Sequence, residues 1–250
     1  MKLENKHGIV EYIRRALADD EYTRGDASIS VSELIRPPRI RILTKLHEDE
    51  IVEDVIARIP SFVGKAIHKA VEEAGNRLRK RGETTPETQE ERIYQTVHGI
   101  KVGGQFDCYI ENESHLRDIK TTTAGKIIWG EYLEWERQLN CYAYLLSLYG
   151  KKVDKITVDA WILDWKEKEV LKNPEYPKLR LIEIPLRVAP IEQIRDYFEQ
   201  RVLLHKTAEE SGVLPPCTDK ERWKGNMLCK KYCTVSQWCD QYKELLLDMQ

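Results

Sequence analysis

Two aspartates and a lysine lie in a short stretch whose other residues are typical of half-buried β-strands. Asp107 belongs to the segment GGQFDCYI, and Asp118 and Lys120 belong to the segment LRDIK that follows a polar turn. A charged side chain inside a strand is unfavourable unless it is paired, solvated or bound to a metal. Residues two apart in a strand share a face, so we expect Asp118 and Lys120 to project together.

A hairpin between the two segments would bring Asp107 to the same face. Two carboxylates and one ammonium at close range suit a hard divalent cation such as Mg²⁺, which takes few protein carboxylates and keeps several waters. Lys120 could then orient or deprotonate a metal-bound water, whose pKa the cation lowers. The alternative is an ordinary surface salt bridge between Asp118 and Lys120 on a solvated face of the sheet.

Two predicted helices carry further polar side chains that could join these three. Gln138 and Tyr142 are four residues apart in EYLEWERQLNCYAYLLSLYG, so their polar ends leave the same helix face. His68 lies beside the apolar stripe of the helix SFVGKAIHKAVEEAGNRLRKRG and could be another metal ligand. The alternatives are an amphipathic edge position for Tyr142 and a structural role for His68.

The order of the elements predicts an α/β fold. The segment RIYQTVHGIKVGGQFDCYI reads as two strands joined by a tight turn, and LRDIK as a third. A long helix is expected from about Trp129 to Tyr149, with Gly150 after its end. KITVDAWILDW and LRLIEIPLR read as two more strands that pair, and a helix follows Pro190. A central mixed β-sheet flanked by helices is the simplest arrangement.

The N-terminal part is predicted to be helical. Short helices are expected in IVEYIRRALADD and in SISVSELIRPP, where Ser30 or Ser32 could cap the helix and Pro37 would end it. No internal repeat or composition break is present, so we expect one domain: a helical segment 1–60, a core 61–210 and a cysteine-rich tail 211–250.

Composition and charge describe an ordinary globular protein. Of the 250 residues, 41% are hydrophobic and 33% charged, and the net charge of −2 excludes a global positive field for a polyanionic partner. The N-terminal residues lack the apolar stretch of a signal peptide, and no stretch approaches the length needed to cross a bilayer. We therefore expect a cytoplasmic protein with no membrane partner.

Four of the six cysteines crowd into the C-terminal tail: Cys217, Cys229, Cys233 and Cys239. In a reducing compartment such a group more often holds a metal than a pair of disulfides. Four soft thiolates suit an iron–sulfur cluster or zinc, and unligated thiols are the third possibility. Cys108 and Cys141 are expected to be packing residues.

Taken together, these motifs resemble the PD-(D/E)XK nuclease superfamily, specifically its RecB-like exonuclease branch. GKAIH, GGQFD, DIK and RQLNCY follow that branch's order and spacing, and SVSELIRPP is similar to the segment that precedes its histidine helix. The resemblance covers roughly residues 28–240. It implies a restriction-endonuclease-like core and a divalent-metal-dependent DNA nuclease, expected to be an exonuclease that hydrolyses phosphodiester bonds with a metal-activated water.

The resemblance also implies roles for individual residues. His68, Asp107 and Asp118, with the backbone carbonyl of Ile119, would bind Mg²⁺ or Mn²⁺, and Lys120 would position or activate the attacking water. Gln138 and Tyr142 would contact the lysine and the DNA backbone. Thr121 and Arg39 would contact the substrate. The expected partner is single-stranded DNA or a strand end, and protein partners stay unknown.

The cysteine tail is similar to that of the iron–sulfur members of this branch, CRISPR-associated exonucleases among them. The resemblance implies a 4Fe–4S cluster, with zinc as the alternative. Those relatives usually take one ligand from before the catalytic strands, whereas no cysteine precedes Cys108 here. Cys217 would therefore supply the fourth ligand.

Two other function classes stay open from the sequence. One is a catalytically silent DNA-binding or assembly module with the same fold. The other is a structural zinc protein whose acidic strand is incidental. Cleavage that depends on Lys120, and the identity of the bound metal, would separate these classes from the nuclease.

Overall fold

The computed structural model describes residues 1–19, 23–83 and 87–247, without the side chains of residues 87–90. The chain divides into two units. The terminal unit contains Met1–Arg58, Thr96–Val102 and Phe198–Gln250, and the sheet unit contains Ile59–Gln95 and Gly103–Tyr197. Because this division does not test the expected boundaries at 60 and 210, the single-domain organisation stays a prediction.

The sheet unit is built around a mixed sheet. Strand β5 pairs antiparallel with β6, β6 pairs parallel with β7, and β7 pairs antiparallel with β8. Strand β4 pairs with β5. The strand bounds are β4 Glu87–Val97, β5 Ile100–Ile110, β6 His115–Thr122, β7 Lys155–Ile162 and β8 Leu181–Leu186. The first residues of β5 belong to the terminal unit, where Ser28 donates its amide to the carbonyl of Lys101.

Helices pack against this sheet. Helix α4 contacts β6, and α6 contacts both β6 and β7. The core contains fully buried apolar side chains from the strands and from α6, such as Phe106, Leu116, Leu139 and Val158. The helices that begin in this unit are α4 Ile59–Lys80, α5 Ala124–Trp129, α6 Leu133–Leu148, α7 Glu167–Val170 and α8 Ile191–Ser211. The predicted α/β fold with a mixed sheet and flanking helices is confirmed.

The long helix predicted from Trp129 to Tyr149 is two helices. Gly130 has φ +67° and ends α5, and α6 begins three residues later at Leu133. A glycine reaches this left-handed conformation at little cost, so it ends a helix readily. The predicted end is confirmed, because Gly150 has φ +75° and Lys151 donates its amide to the carbonyl of Leu146.

The terminal unit is mainly helical. Strands β1 and β3 pair in parallel, and β2 leads into α2. Ser30 caps α2, because its hydroxyl accepts the Glu33 amide and the Glu33 carboxylate accepts the Ser30 amide. The elements of this unit are β1 Lys2–Glu4, α1 Glu11–Ala18, β2 Ile29–Ser30, α2 Val31–Leu34, α3 Pro38–Leu46, β3 Val52–Asp54, α9 Asp219–Arg222 and α10 Asp240–Leu247.

Helix α3 was not predicted from the sequence. Pro38 occupies its first turn, where a missing backbone N–H costs nothing, so the two prolines end one helix and begin the next. In the described part of the chain, no helix has the length and apolar character of a membrane span.

A buried histidine joins elements of the terminal unit. His205 Nε2 lies 3.1 Å from the carbonyl oxygens of Leu34 and Arg36, so this nitrogen carries the proton. Its Nδ1 accepts a hydrogen bond of 3.2 Å from Arg41 Nε. Burial, together with the positive charges of Arg201 and Arg41, lowers the pKa of His205 from 6.5 to about 4. A second proton, on His205 Nδ1, would also place an N–H of the histidine against the Nε–H of Arg41, which donates to this nitrogen.

We predict that His205 makes the folding stability depend on pH. The unfolded chain takes up this proton near pH 6.5 and the folded chain only near pH 4, so stability falls as the pH drops through that window. The expected loss is about 3 kcal/mol. The free energy of unfolding, measured in urea across this pH range, should fall less for His205→Gln, whose amide does not titrate. The control His7→Gln changes an exposed histidine and should match wild type. Equal pH dependence in wild type and His205→Gln would contradict the assignment.

Candidate active site

The hairpin of β5 and β6 brings the two aspartates together. Cys108 pairs with Arg117 across these strands, and Asp107 and Asp118 are the next residues on the two strands. Asp107 Oδ2 accepts a hydrogen bond of 2.6 Å from the amide of Ile119. The first aspartate is thereby fixed to the backbone of the strand that carries the second.

Asp118 is buried, with 3% of its surface exposed. Its Oδ2 atom lies 2.5 Å from Lys120 Nζ in a close ion pair, yet this buried oxygen accepts no well-aligned hydrogen bond. Burial raises the pKa of Asp118 to about 6, against the lowering effect of the Lys120 charge, and the nearby Asp107 carboxylate raises it further. The alternative of a surface salt bridge on a solvated face is therefore wrong.

Lys120 is a partly buried cation among carboxylates. Burial alone would lower its pKa, but the charges of Asp118 and Asp107 outweigh burial and raise it, and the Glu134 carboxylate adds to the effect. Lys120 is consequently protonated at neutral pH in the metal-free protein. An ammonium in this state can donate hydrogen bonds and balance negative charge, but it cannot accept a proton.

Helix α4 places His68 against the aspartates. His68 Nδ1 lies 3.2 Å from Asp107 Oδ1. Burial lowers the pKa of His68, but the hydrogen bond and charge of Asp107 outweigh it, so the pKa is raised overall. One turn earlier, a β-carbon on Gly64 would lie 3.3 Å from Thr121 Oγ1. The absence of a side chain at Gly64 lets α4 approach β6 closely enough for His68 to reach Asp107.

Helix α6 places Gln138 and Tyr142 side by side. Gln138 Nε2 donates a hydrogen bond of 2.9 Å to the Tyr142 hydroxyl, as their spacing of four residues allows. Tyr142 is only 5% exposed, so it is not an amphipathic edge residue. Glu134 lies one turn before Gln138, and its charge acts on Lys120. Glu134 is not among the residues predicted from the sequence, although the spacing 134, 138, 142 would have indicated it.

The predicted metal ligands are paired with protein groups. His68 pairs with Asp107, Asp107 also accepts from Ile119, and Asp118 pairs with Lys120. Across residues 1–19, 23–83 and 87–247, no three His, Cys, Asp or Glu side chains are placed to hold a metal ion. The donor types nevertheless fit Mg²⁺ or Mn²⁺, because two carboxylates and an imidazole are close together.

The four tail cysteines line one cavity in the terminal unit. None forms a disulfide, and Cys217 and Cys239 are buried. Burial raises the pKa of Cys217 to about 12, and burial also raises the pKa values of Cys229 and Cys233. These thiols are therefore protonated at neutral pH in the metal-free protein.

The predicted DNA contact of Arg39 is wrong, because this side chain lines the cysteine cavity and is 5% exposed. Its guanidinium forms an ion pair with Asp240 and donates to the carbonyls of Leu214 and Pro215. One guanidinium nitrogen lies 3.8 Å from Cys239 Sγ. A buried and fully engaged arginine is not available to a phosphate.

We predict that the Lys120 charge keeps the pKa of Asp118 from rising further. In metal-free Lys120→Met, the pKa of Asp118 should exceed its wild-type value of about 6, because the cation that favours the carboxylate is gone. Carbon-detected NMR titration of the aspartate carboxyl groups would measure this. Lys155→Met, which removes a lysine paired with Glu183, should leave the titration unchanged. An unchanged or lower pKa in Lys120→Met would contradict the pairing.

Comparisons with known proteins agree with this fold. The structure is similar to the crystal structure of SSO0001, with a TM-score of 0.58 and 18% identity over 92% of this chain and 95% of that chain. At this identity the likeness shows the fold alone. A phage-related exonuclease from Haemophilus somnus 129PT is also similar, with a TM-score of 0.37 and 14% identity over 59% of this chain and 71% of that chain. No curated protein matches the sequence.

A family model supplies the stronger result. The model of the PD-(D/E)XK nuclease superfamily matches residues 27–240. The matched region includes α4, the hairpin of β5 and β6, and α6, which together carry every residue of the site described above. Because the match spans most of the sequence, this chain belongs to the PD-(D/E)XK nuclease superfamily.

Proposed function

We propose that this chain is a divalent-metal-dependent DNA nuclease that hydrolyses phosphodiester bonds and acts as an exonuclease on single strands or strand ends. The observation that carries the proposal is the buried Asp118 carboxylate, which pairs with the Lys120 ammonium although the Asp107 carboxylate is near. A raised aspartate pKa beside a second carboxylate is costly for a folded protein, and such arrangements cluster at functional sites.

His68, Asp107 and Asp118, with the carbonyl of Ile119, would hold Mg²⁺ or Mn²⁺. When bound, the cation neutralises the carboxylates, activates water and balances charge on the phosphate. The support is chemical: two carboxylates supply hard oxygen donors, and an imidazole lies beside one of them. The existing pairs His68–Asp107 and Asp118–Lys120 hold these donors close together without the cation.

Lys120 would position the attacking water and balance charge on the phosphate oxygens. Its raised pKa supports a role as a hydrogen-bond donor and not as a base. Gln138 and Tyr142 would keep the lysine and the DNA backbone in register, since their shared hydrogen bond fixes both side chains on one face of α6. Thr121, which directly follows Lys120 on β6, would contact a phosphate.

The second candidate function is a catalytically silent DNA-binding or assembly module. The internal pairing of the expected ligands favours it, because no three donors of the described chain are placed to hold a metal. A module of this type would bind DNA equally well with and without the lysine charge and would not cleave it. Cleavage measured in wild type and Lys120→Ala separates the two candidates.

We predict cleavage of labelled DNA in Mg²⁺ or Mn²⁺ that is lost on adding EDTA. Lys120→Ala should reduce the rate by about 10²–10³-fold, because a charge that stabilises the transition state is removed. Asp118→Asn should reduce it at least as much, because a ligand of the cation is lost. The control Lys152→Ala changes a lysine whose side chain is 77% exposed and should cleave at the wild-type rate. Wild type without cleavage in either metal, or equal rates in wild type and Lys120→Ala, would refute the nuclease.

The cysteine cavity would hold a 4Fe–4S cluster, with zinc as the alternative. The support is the position of all four thiols on one cavity and the absence of disulfides among them. Thiolates are the binding form, so loading would displace the protons that burial retains on these thiols. Arg39, beside Cys239, supplies a positive charge close to the thiolates.

We predict that anaerobically purified protein is brown and contains iron and acid-labile sulfide. Cys217→Ser and Cys233→Ser should each lose most of the metal, because a complete site needs all four soft ligands. Cys108→Ser, which changes a cysteine of the sheet unit, should keep the wild-type metal content. Colourless protein with stoichiometric zinc would select the alternative. Protein without iron or zinc, even after anaerobic reconstitution, would overturn the site.

A further inference from the structure

An exposed tryptophan ends the short helix that follows the strand carrying Lys120. Trp129 is the last residue of α5 and is 78% exposed. All six tryptophans of the chain lie in its described part, and Trp129 is the most exposed of them; the next is Trp223 at 41%. A ring of this size that is exposed to water is free to contact a ligand.

Trp129 belongs to an aromatic group at the α5–α6 turn. Tyr132 and Trp135 stack with their ring centroids 5.2 Å apart and their planes 8° from parallel. The ammonium of Lys126 lies 5.5 Å from the centroid of the Trp135 ring, and the Tyr132 hydroxyl donates to the carbonyl of Ile127. The turn thus combines one exposed ring, that of Trp129, with a stacked aromatic pair and a positive charge. We refer to Lys126, Trp129, Tyr132 and Trp135 as the aromatic turn.

The aromatic turn adjoins the active site through both of its helices. Helix α5 begins two residues after the end of β6, and Thr123 caps it. On α6, Glu134 begins the stripe that continues through Gln138 and Tyr142, and its charge acts on Lys120. Trp135 is the residue next to Glu134. A DNA strand at Lys120 would therefore have the aromatic turn within reach of its neighbouring nucleotides.

These rings suit unpaired bases. Every base has a flat face that stacks on an exposed aromatic side chain, and a nearby cation attracts the phosphate backbone. Bases inside a duplex are already stacked on each other, so an exposed ring gains little from duplex DNA. From this we propose that the aromatic turn, with Trp129 as its outer ring, stacks the unpaired bases of single-stranded DNA beside the active site. This assignment rests on the proposed nuclease function for the identity of the ligand.

The test measures binding without cleavage. Fluorescein-labelled oligothymidine and a blunt hairpin duplex are each titrated with protein in EDTA, and the intrinsic tryptophan fluorescence is followed with unlabelled oligothymidine. We expect Trp129→Ala to weaken binding of oligothymidine about tenfold, because one stacking partner is lost. Binding of the hairpin should stay unchanged. Oligothymidine should quench the fluorescence of wild type more than that of Trp129→Ala.

Two variants serve as controls. Trp129→Phe keeps an aromatic face and should bind oligothymidine within about threefold of wild type. Tyr12→Ala removes an aromatic side chain of the terminal unit that is 74% exposed, and it should bind as wild type does. Circular dichroism melting curves check that each variant is folded.

The possible outcomes are distinct from those of the cleavage assay. Equal oligothymidine binding by wild type and Trp129→Ala, or no binding by wild type, would overturn the aromatic turn as a binding site. An equal loss for oligothymidine and hairpin would overturn its preference for single strands. If wild type cleaves and Trp129→Ala binds normally, the nuclease stands without this site. If wild type does not cleave but Trp129→Ala binds more weakly, the site stands without the nuclease.

Discussion

The structure of the active site depends on a charge pair inside the sheet. Asp118 is buried on β6 next to Lys120, and burial disfavours its charge so strongly that its pKa rises to about 6. Such a carboxylate is tolerated because an ammonium lies 2.5 Å away, although the Asp107 carboxylate of the adjacent strand disfavours its charge further. A hydrophobic pair would fill this position at lower cost, so the charges indicate a function and not a contribution to stability.

Other elements are arranged around this pair. Gly64 lets α4 come close to β6, and His68 then reaches Asp107. On α6, Glu134, Gln138 and Tyr142 form a stripe along one side of the helix. The charge of Glu134 acts on Lys120, and Gln138 donates to the Tyr142 hydroxyl. Each element contributes polar side chains to one group, in which Asp118 is buried and Lys120 and His68 are partly exposed. The fold therefore holds carboxylates, imidazole and ammonium close together before any cation or DNA is bound.

The terminal unit contains a group of thiols around one cavity. Four cysteines, Arg39 and apolar side chains such as Leu43 and Val235 line one cavity. In the metal-free chain the thiols of Cys217, Cys229 and Cys233 are protonated, since burial raises their pKa values. Arg39 was predicted to contact DNA. It lies in this cavity instead, where its guanidinium pairs with Asp240 and donates to two backbone carbonyls. The RecB-like branch and the iron–sulfur cluster stay predictions, because the family match specifies the superfamily but neither a branch nor a cluster.

The sequence by itself determined the order of the elements, the mixed α/β architecture and the association of Asp107, Asp118 and Lys120. These features follow from local periodicity and from spacing along neighbouring strands, which the chain encodes over a few residues. Only the tertiary structure decided the burial of Asp118 and the enclosure of Arg39. Burial and pairing depend on residues far apart in the chain, such as Arg39 and Asp240, and no local pattern contains that information.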